Sequence, residues 1–318
     1  MTGAEAVTTG ARVVVAGSLN LDYVVTVAQL PAPGETVLAS GLELHDGGKG
    51  GNQAHAAARA AAPGTTVAMV ACVGADAAGE RMIAALAAHG VDVSAVRTVA
   101  APSGQAFIAT DPSGENTIAV AAGANFVWPD EAVDELALDG GAPGGGGGGV
   151  LVLQLEVPMP VVQRLARRAH EAGWRVVLNA APPQPLPDGL LRPGDVLVVN
   201  EHEALVVLGA LPDPASAAAP ASSGECDVVV TLGVAGALVR AAATGAVSQV
   251  PAYPVTATDT VGAGDAFVGA LAVALAEGAD LGRAVRLGAA SGALTATVAG
   301  ARHQTLTRVT LDALVAAG

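Results

Sequence analysis

Hydrophobic and polar positions change their spacing along this chain, and the changes divide it into elements. The run Arg12-Val-Val-Val-Ala-Gly17 has no polar break and ends at glycine, which predicts a strand buried on both faces. Residues 23–27 and 35–44 alternate instead, separated by Pro31-Ala-Pro-Gly34, and predict half-exposed strands of a small sheet. Beyond the glycines at 47–51, an alanine-rich stretch predicts a helix over 52–62. Strand 66–73 and helix 77–89 follow, with Gly90 as the helix stop. Short strands resume at 91–99, 105–110 and 117–120, with Asp111-Pro-Ser-Gly114 as a hairpin turn. The pattern then reads strand 150–155, helix 159–172, strands 175–178 and 196–199, helix 201–208 and strand 228–232. Two strand-like pieces, 237–240 and 247–250, precede helices over 263–277, 281–297 and 309–316. Alternating strands and helices predict an α/β fold whose parallel sheet is covered on both faces. Early strands without intervening helices predict a small β-rich flap inserted in it. The glycine-rich segment 140–149 and the Ala/Pro/Ser segment 212–224 read as loops.

A chain of 318 residues fits one large domain, or a domain with a small appendage. Hydrophobic residues make up 52% and aromatic ones 2%, so the core must be built from Ala, Val and Leu. Alanine and valine also supply the mean hydropathy of +0.51. No uninterrupted apolar run approaches the ~20 residues that span a bilayer. The first twelve residues lack a basic start and an apolar core, so no signal peptide is expected. Cys72 and Cys226 fall in separate apolar segments and read as core residues. The expectation is a soluble, cytoplasmic protein. Its 15 basic and 29 acidic residues, a net charge of −14, argue against nucleic acid or anionic membranes as partners. A nucleotide remains compatible if backbone amides and Mg²⁺ supply the neutralising charge.

Candidate chemistry centres on Thr258-Asp259-Thr260-Val261-Gly262-Ala263-Gly264-Asp265, which runs directly into an apolar segment. Two glycines let N–H groups turn toward one point where a helix begins, and such an end attracts anions. An aspartate there would repel a bound phosphate unless it takes a proton from an attacking hydroxyl. That combination describes phosphoryl transfer to an alcohol. A plain turn with Asp265 as helix cap fits the same residues, and the motif alone leaves both readings open. Lys49 is a second pointer: it is the sole lysine in the chain, beside fourteen arginines, and it lies inside His45-Asp46-Gly47-Gly48-Lys49-Gly50-Gly51-Asn52-Gln53. A compact, rotatable ammonium is not interchangeable with a guanidinium fork. Ligand sites of open α/β sheets lie beyond the carboxyl ends of the strands. The polar residues found there are Asn20 and Asp22, then Gly48, Lys49 and Asn52, then Glu156, Asn200, Glu203, Thr231, Gly233, Asp259 and Asp265.

Eight segments in order give the chain a resemblance: GSLNLD (17–22), PAPGET (31–36), GGKGGNQA (47–54), GENTIAVAAGAN (114–125), LQLEVP (153–158), NEHE (200–203), TLGVAG (231–236) and DTVGAGDAF (259–267). Over nearly its whole length it resembles the ribokinase-like (PfkB-type) sugar kinases. The resemblance implies a three-layer α/β core over 11–19, 46–90 and 121–318, with a β-lid from 20–45 and 91–120 over the sugar site. It implies an ATP-dependent kinase that phosphorylates the 5-hydroxyl of D-ribose to ribose 5-phosphate. Asp265 would be the general base and the amides of Gly262, Ala263 and Gly264 the anion hole. Asn20, Asp22, Gly48, Lys49, Asn52 and Glu156 would hold the sugar. Asn200, Thr231, Gly233, Gly236, Gly264 and Ala289 would border the nucleotide. Glu203 would organise Mg²⁺ through water. A monovalent cation, K⁺, would take the side chains of Asp259 and Gln304 and the carbonyls of Val261, Thr295, Val298 and Gly300. A homodimer through the lid is implied as well.

The chain departs from the family pattern in places. Members commonly carry serine at Gln304, a small residue at Thr295, and histidine or asparagine at Ala289. Arg302 and His303 replace a Gln-Pro pair, a change expected at the lip of that loop. Rival readings are a kinase of the same family for deoxyribose, a nucleoside or another small sugar, and a non-catalytic sugar-binding regulator. Seven aromatics disfavour a nucleoside's base pocket. Segments 20–52 and 91–120 offer only Lys49 and Arg97 to a phosphorylated sugar, and decay of a kinase should first remove Asp265, Asn200 or Glu203.

Overall fold

A computed structural model describes residues 10–138, 148–212 and 226–318. Most of segment 140–149 and nearly all of 212–224 lie outside the described residues. In chain order the elements begin with β1 (Arg12–Ala16), β2 (Asn20–Val27), β3 (Ala39–Gly47), α1 (Lys49–Ala60), β4 (Thr66–Gly74), α2 (Ala77–Ala88) and β5 (Asp92–Val99). Next come β6 (Gly104–Thr110), β7 (Asn116–Ala121), α3 (Asp130–Asp134), β8 (Val150–Leu153), α4 (Met159–Glu171), β9 (Arg175–Asn179), β10 (Val196–Asn200) and α5 (Glu201–Val207). The last are β11 (Asp227–Thr231), β12 (Ala237–Arg240), β13 (Val247–Val250), α6 (Ala263–Ala276), α7 (Leu281–Thr295) and α8 (Arg308–Ala317).

Nine strands form one sheet in the order β13-β12-β11-β10-β9-β8-β1-β4-β5. It is parallel from β11 to β5, and β12 and β13 add an antiparallel edge. The unbroken apolar runs lie at its centre because both of their faces are covered. Val13 and Val15 point into the core under α1, α6 and α7, whereas Val14 and Ala16 point into the core under α4. α6 is buried on all sides from Asp265 to Leu275. Its small residues let neighbours close in: a Cβ at Gly269 would lie 2.5 Å from the Gln53 carbonyl of α1. A core poor in aromatics thus packs tightly by bringing backbones together.

A separate four-stranded sheet has the order β3-β2-β6-β7, with β2 and β6 parallel. Residues 91–99 were expected in this flap, but β5 pairs parallel with β4 and extends the large sheet. The reason is α2, which supplies the crossover that a parallel neighbour needs. The flap's second half therefore begins at Gly104. Its first half also shifts, with β3 running from Ala39 to Gly47. The short α3 and a 3₁₀ turn at Gly123–Phe126 were not foreseen.

Candidate active site

The carboxyl ends of β9, β10 and β11 meet the N-termini of α1, α5 and α6, where a crevice opens as expected for an open parallel sheet. Lys49, Asn179, Asn200, Glu203, Thr231, Gly262, Gly264 and Asp265 line it. Five segments of the sequence thus converge on one cleft.

α6 opens from Gly262, whose φ of +75° is left-handed and whose missing Cβ would collide with the Ala301 carbonyl. Asp265 sits in the first turn, 8% exposed. Its two oxygens are held apart: Oδ2 accepts from Asn52 Nδ2 at 3.0 Å and Oδ1 from Gln53 Nε2 at 2.9 Å. Gln53 Nε2 also reaches Asn179 Oδ1 at 3.0 Å, and Gln53 Oε1 accepts from Gln154 Nε2 at 2.6 Å. The carboxylate is clamped in one orientation by side chains from α1, themselves braced by β9 and the end of β8.

At the start of α1, Gly48 has φ +80°, and a Cβ there would lie 2.8 Å from the Asn20 amide nitrogen. The Lys49 N–H donates to Glu156 Oε2 at 3.0 Å, and Ser18 Oγ donates to the same oxygen. A carboxylate therefore caps the positive end of α1 from another segment. Burial alone would lower the Lys49 ammonium, but Asp265, Glu156 and Glu203 outweigh it and hold the group above its ordinary value. The sole lysine is charged, among three carboxylates.

Asn20 is fixed by Asn125, whose Nδ2 donates to Asn20 Oδ1 at 2.8 Å while its Oδ1 accepts from the Leu19 N–H. Asp22 lies two residues on, its carboxyl pushed up to about 6 by burial and by Glu156, with Arg302 opposing. Asn200 and Glu203 form a capping box on α5, exchanging bonds of 2.8 Å between side chain and backbone. Burial raises the Glu203 carboxyl, against the Asn200 N–H and Lys49.

Thr231 ends β11, and Gly233 and Gly236 frame the turn into β12. Gly236 is demanded by packing, since a Cβ would strike the Val250 carbonyl. Ala289 is partly buried and packs against the core from α7. Asp259 staples two loops together, Oδ1 accepting from the Val261 N–H at 3.0 Å and Oδ2 from the Gly300 N–H at 2.8 Å. Thr295 and Val298 share that turn through a 3.2 Å backbone bond. Gln304 donates Nε2–H to the Arg302 carbonyl at 3.3 Å and meets His89. Among the described residues no group of three or more His, Cys, Asp or Glu side chains is placed to hold a metal ion.

Arg302 corrects an expectation: it is not at a loop lip but turned inward and buried. Its guanidinium reaches Asn52 Oδ1 and faces the carboxylates of Asp46, Asp22 and Asp265, which local sequence keeps far apart. Sequence reasoning also passed over Gln53, Asn125, Gln154 and Asn179. One signal was present, a polar residue interrupting or ending an apolar run, as in VLVLQL and VVLN.

The pfkB family of carbohydrate kinases matches the chain over residues 11–308. A ribokinase of Haemophilus influenzae is 37% identical over 300 residues, covering 92% of this chain and 95% of the relative. A ribokinase of Bacillus subtilis is 35% identical over 306 residues, 96% of this chain and 99% of the relative. Among solved structures, the ribokinase of Arabidopsis thaliana complexed with ribose and ATP superposes with a TM-score of 0.79 at 28% identity, covering 96% of this chain and 99% of that one.

Proposed function

Because the chain belongs to the pfkB family of carbohydrate kinases, we propose that it transfers the γ-phosphoryl group of ATP to the 5-hydroxyl of D-ribose, with Asp265 as general base. The observation that carries this reading is Asp265 clamped by Asn52 and Gln53 in the first turn of α6, beside the amides of Gly262, Ala263 and Gly264. The sugar hydroxyl gives its proton to Asp265 as its oxygen forms the new bond to phosphorus. The bond from the γ-phosphorus to the ADP oxygen breaks, and ADP leaves with the electron pair. The α6 amides and the Lys49 ammonium stabilise charge building on the transferred group. Asn20, Asp22, Gly48, Lys49, Asn52 and Glu156 hold the ribose, since carboxylates accept from hydroxyls while amides both donate and accept.

Thr231, Gly233 and Gly236 border the nucleotide, with Asn200 and Gly264 toward its phosphates. Ala289, packed into the core, would contribute no polar contact there. Mg²⁺, when bound with ATP, neutralises phosphate charge. Glu203 lines the cleft and fits as its partner through water, since Mg²⁺ keeps waters and phosphate ligands rather than requiring a protein cage. Asp259 and the carbonyls of Val261, Thr295, Val298 and Gly300 fit a monovalent cation because the Asp259 staple brings these loops together. Gln304 fits it poorly, its amide being engaged with Arg302 and His89. Sugar ligands at the start of β2 and the end of β3 make the small sheet a lid, whose closure would exclude water from the phosphoryl group. ATP as donor supports a cytoplasmic reaction. No helix among the described residues is long and apolar enough to cross a membrane.

The test is ADP release over a panel of D-ribose, 2-deoxy-D-ribose, adenosine and fructose 6-phosphate. Ribose is expected to give the highest kcat/KM, and a better turnover of another member overturns the assignment. Asp265→Asn should lower kcat by about 10²–10⁴-fold with ribose binding kept. Near-normal turnover of that variant would remove Asp265 from its role.

A further inference from the structure

Arg302 lies in the connection between α7 and α8, yet it is only 9% exposed. Its Nε–H donates to Asn52 Oδ1 at 3.0 Å, and an Nη2–H donates to the Gly47 carbonyl at 3.3 Å. Gly51 makes the room: a Cβ there would lie 2.6 Å from Arg302 Nη2. The guanidinium faces Asp46, Asp22 and Asp265, with Arg81 as a further cation. This is a built position, reached across 250 residues of sequence and fitted into the back of the sugar site.

A guanidinium has donors and no acceptor, so Asn52 must present Oδ1 to it and turn Nδ2 the other way. The other way is Asp265, where Nδ2 donates to Oδ2 at 3.0 Å. Arg302 therefore decides the direction of the Asn52 carboxamide. It also tethers Gly47, the residue against which the Asp22 carboxylate packs so closely that no Cβ fits.

We propose that Arg302 is a positioning residue for the sugar site, fixing Asn52 and Gly47 from behind and tying the α7–α8 loop to ribose binding. The inference rests on the reading of Asn52 and Asp22 as sugar ligands. Asp22 adds a second route for its effect. The charged groups around that carboxylate are Glu156, Arg302, His45 and Asp46, and Arg302 is the largest influence favouring its ionised form.

The experiment compares Arg302→Met, which keeps length without donors, with Arg302→Gln, which keeps one donor for Asn52. Wild type is first run on the sugar panel, and the variants are measured on whichever member it turns over best. Failure of the ribose assignment is thereby separate from failure of this inference. Loss of a charge-assisted hydrogen bond should raise the sugar KM about tenfold or more in Arg302→Met. The ATP KM should stay within about twofold, and Arg302→Gln should recover part of the loss. The acid limb of kcat/KM for the sugar should move to higher pH in Arg302→Met, because Asp22 loses its guanidinium. A sugar KM unchanged within about twofold overturns the proposal, as does a parallel rise in both KM values, which marks a general packing defect. If Arg302→Met gives no cooperative melting transition, Arg302→Gln and Arg302→Lys are compared. Lysine keeps the charge but lacks the fork, so a Lys variant indistinguishable from wild type also overturns it.

Discussion

Asp22 shows how one residue's surroundings set its chemistry. Burial and Glu156 push its carboxyl up to about 6, and its Oδ1 is buried without a hydrogen-bond partner among the described residues. An unpaired buried acceptor is costly unless a ligand hydroxyl meets it. Ribose should bind the ionised form, so its affinity should fall by about tenfold per pH unit below about 6. Calorimetric titration between pH 5 and 8 checks this, and Asp22→Asn should flatten the curve. Identical pH profiles for the two proteins would contradict it. The stability of the sugar-free protein has the opposite sign: a raised carboxyl contributes stability present below its ordinary value of 3.8 and lost as pH rises through about 6. His55 opposes that slope. Burial and Arg302 pull it down to about 3, so its contribution is present above 6.5 and lost as pH falls. The Asp22 share is therefore read from the difference between wild type and Asp22→Asn.

At the scale of the element, the N-terminus of α6 combines two glycines with different jobs. Gly262 has φ +75° and no room for a Cβ, so it serves the backbone. Gly264 is helical and exposed, and a Cβ there would meet nothing within 4 Å. Gly262→Ala should cost about 1 kcal/mol or more in stability, seen as a lowered Tm, because L-residues resist that φ and the Ala301 carbonyl must move. Gly264→Ala should leave Tm unchanged, since alanine suits a helix. It should nevertheless lower kcat/KM for ATP about tenfold or more, by placing a methyl over the amides proposed to face the phosphoryl group. Ordinary ATP kinetics in Gly264→Ala would show that the nucleotide does not approach this end of α6. The GAGD pattern was legible from the residues alone. The separation of its two glycines was not, because it depends on Ala301, a neighbour from beyond α7.

For the whole molecule, the small sheet sets the question of assembly. β7 is its edge strand and carries Ile118 and Val120, 54% and 59% exposed. Through the register Asp22↔Ala106↔Val120 these residues share the face that carries Asp22. A second copy covering that face would remove apolar surface from water and shield the sugar at the same time. Ile118→Asp should convert a dimer into a monomer in sedimentation velocity and raise the ribose KM. A monomeric wild type, or a variant dimer with unchanged KM, would argue against assembly through the lid.

Local pattern carried much of this protein by itself. Apolar runs and their breaks marked nearly every strand and helix, and the segments from GSLNLD to DTVGAGDAF pointed to a sugar kinase. Spacing within a segment expresses rules that act over a few residues, namely the two-residue repeat of strands, the turn of a helix and the demand for glycine at positive φ. Tertiary structure alone decided which sheet 91–99 would join, how Gln154, Gln53 and Asn179 brace Asp265, and that Arg302 would be buried against Asn52. Apart from the pairing of 91–99 with nearby β4, those outcomes depend on contacts between residues 100 or more positions apart, as with the Gln154–Gln53 pair. Only the closed fold brings such groups together, where burial favours the arrangements in which charges and amides find partners.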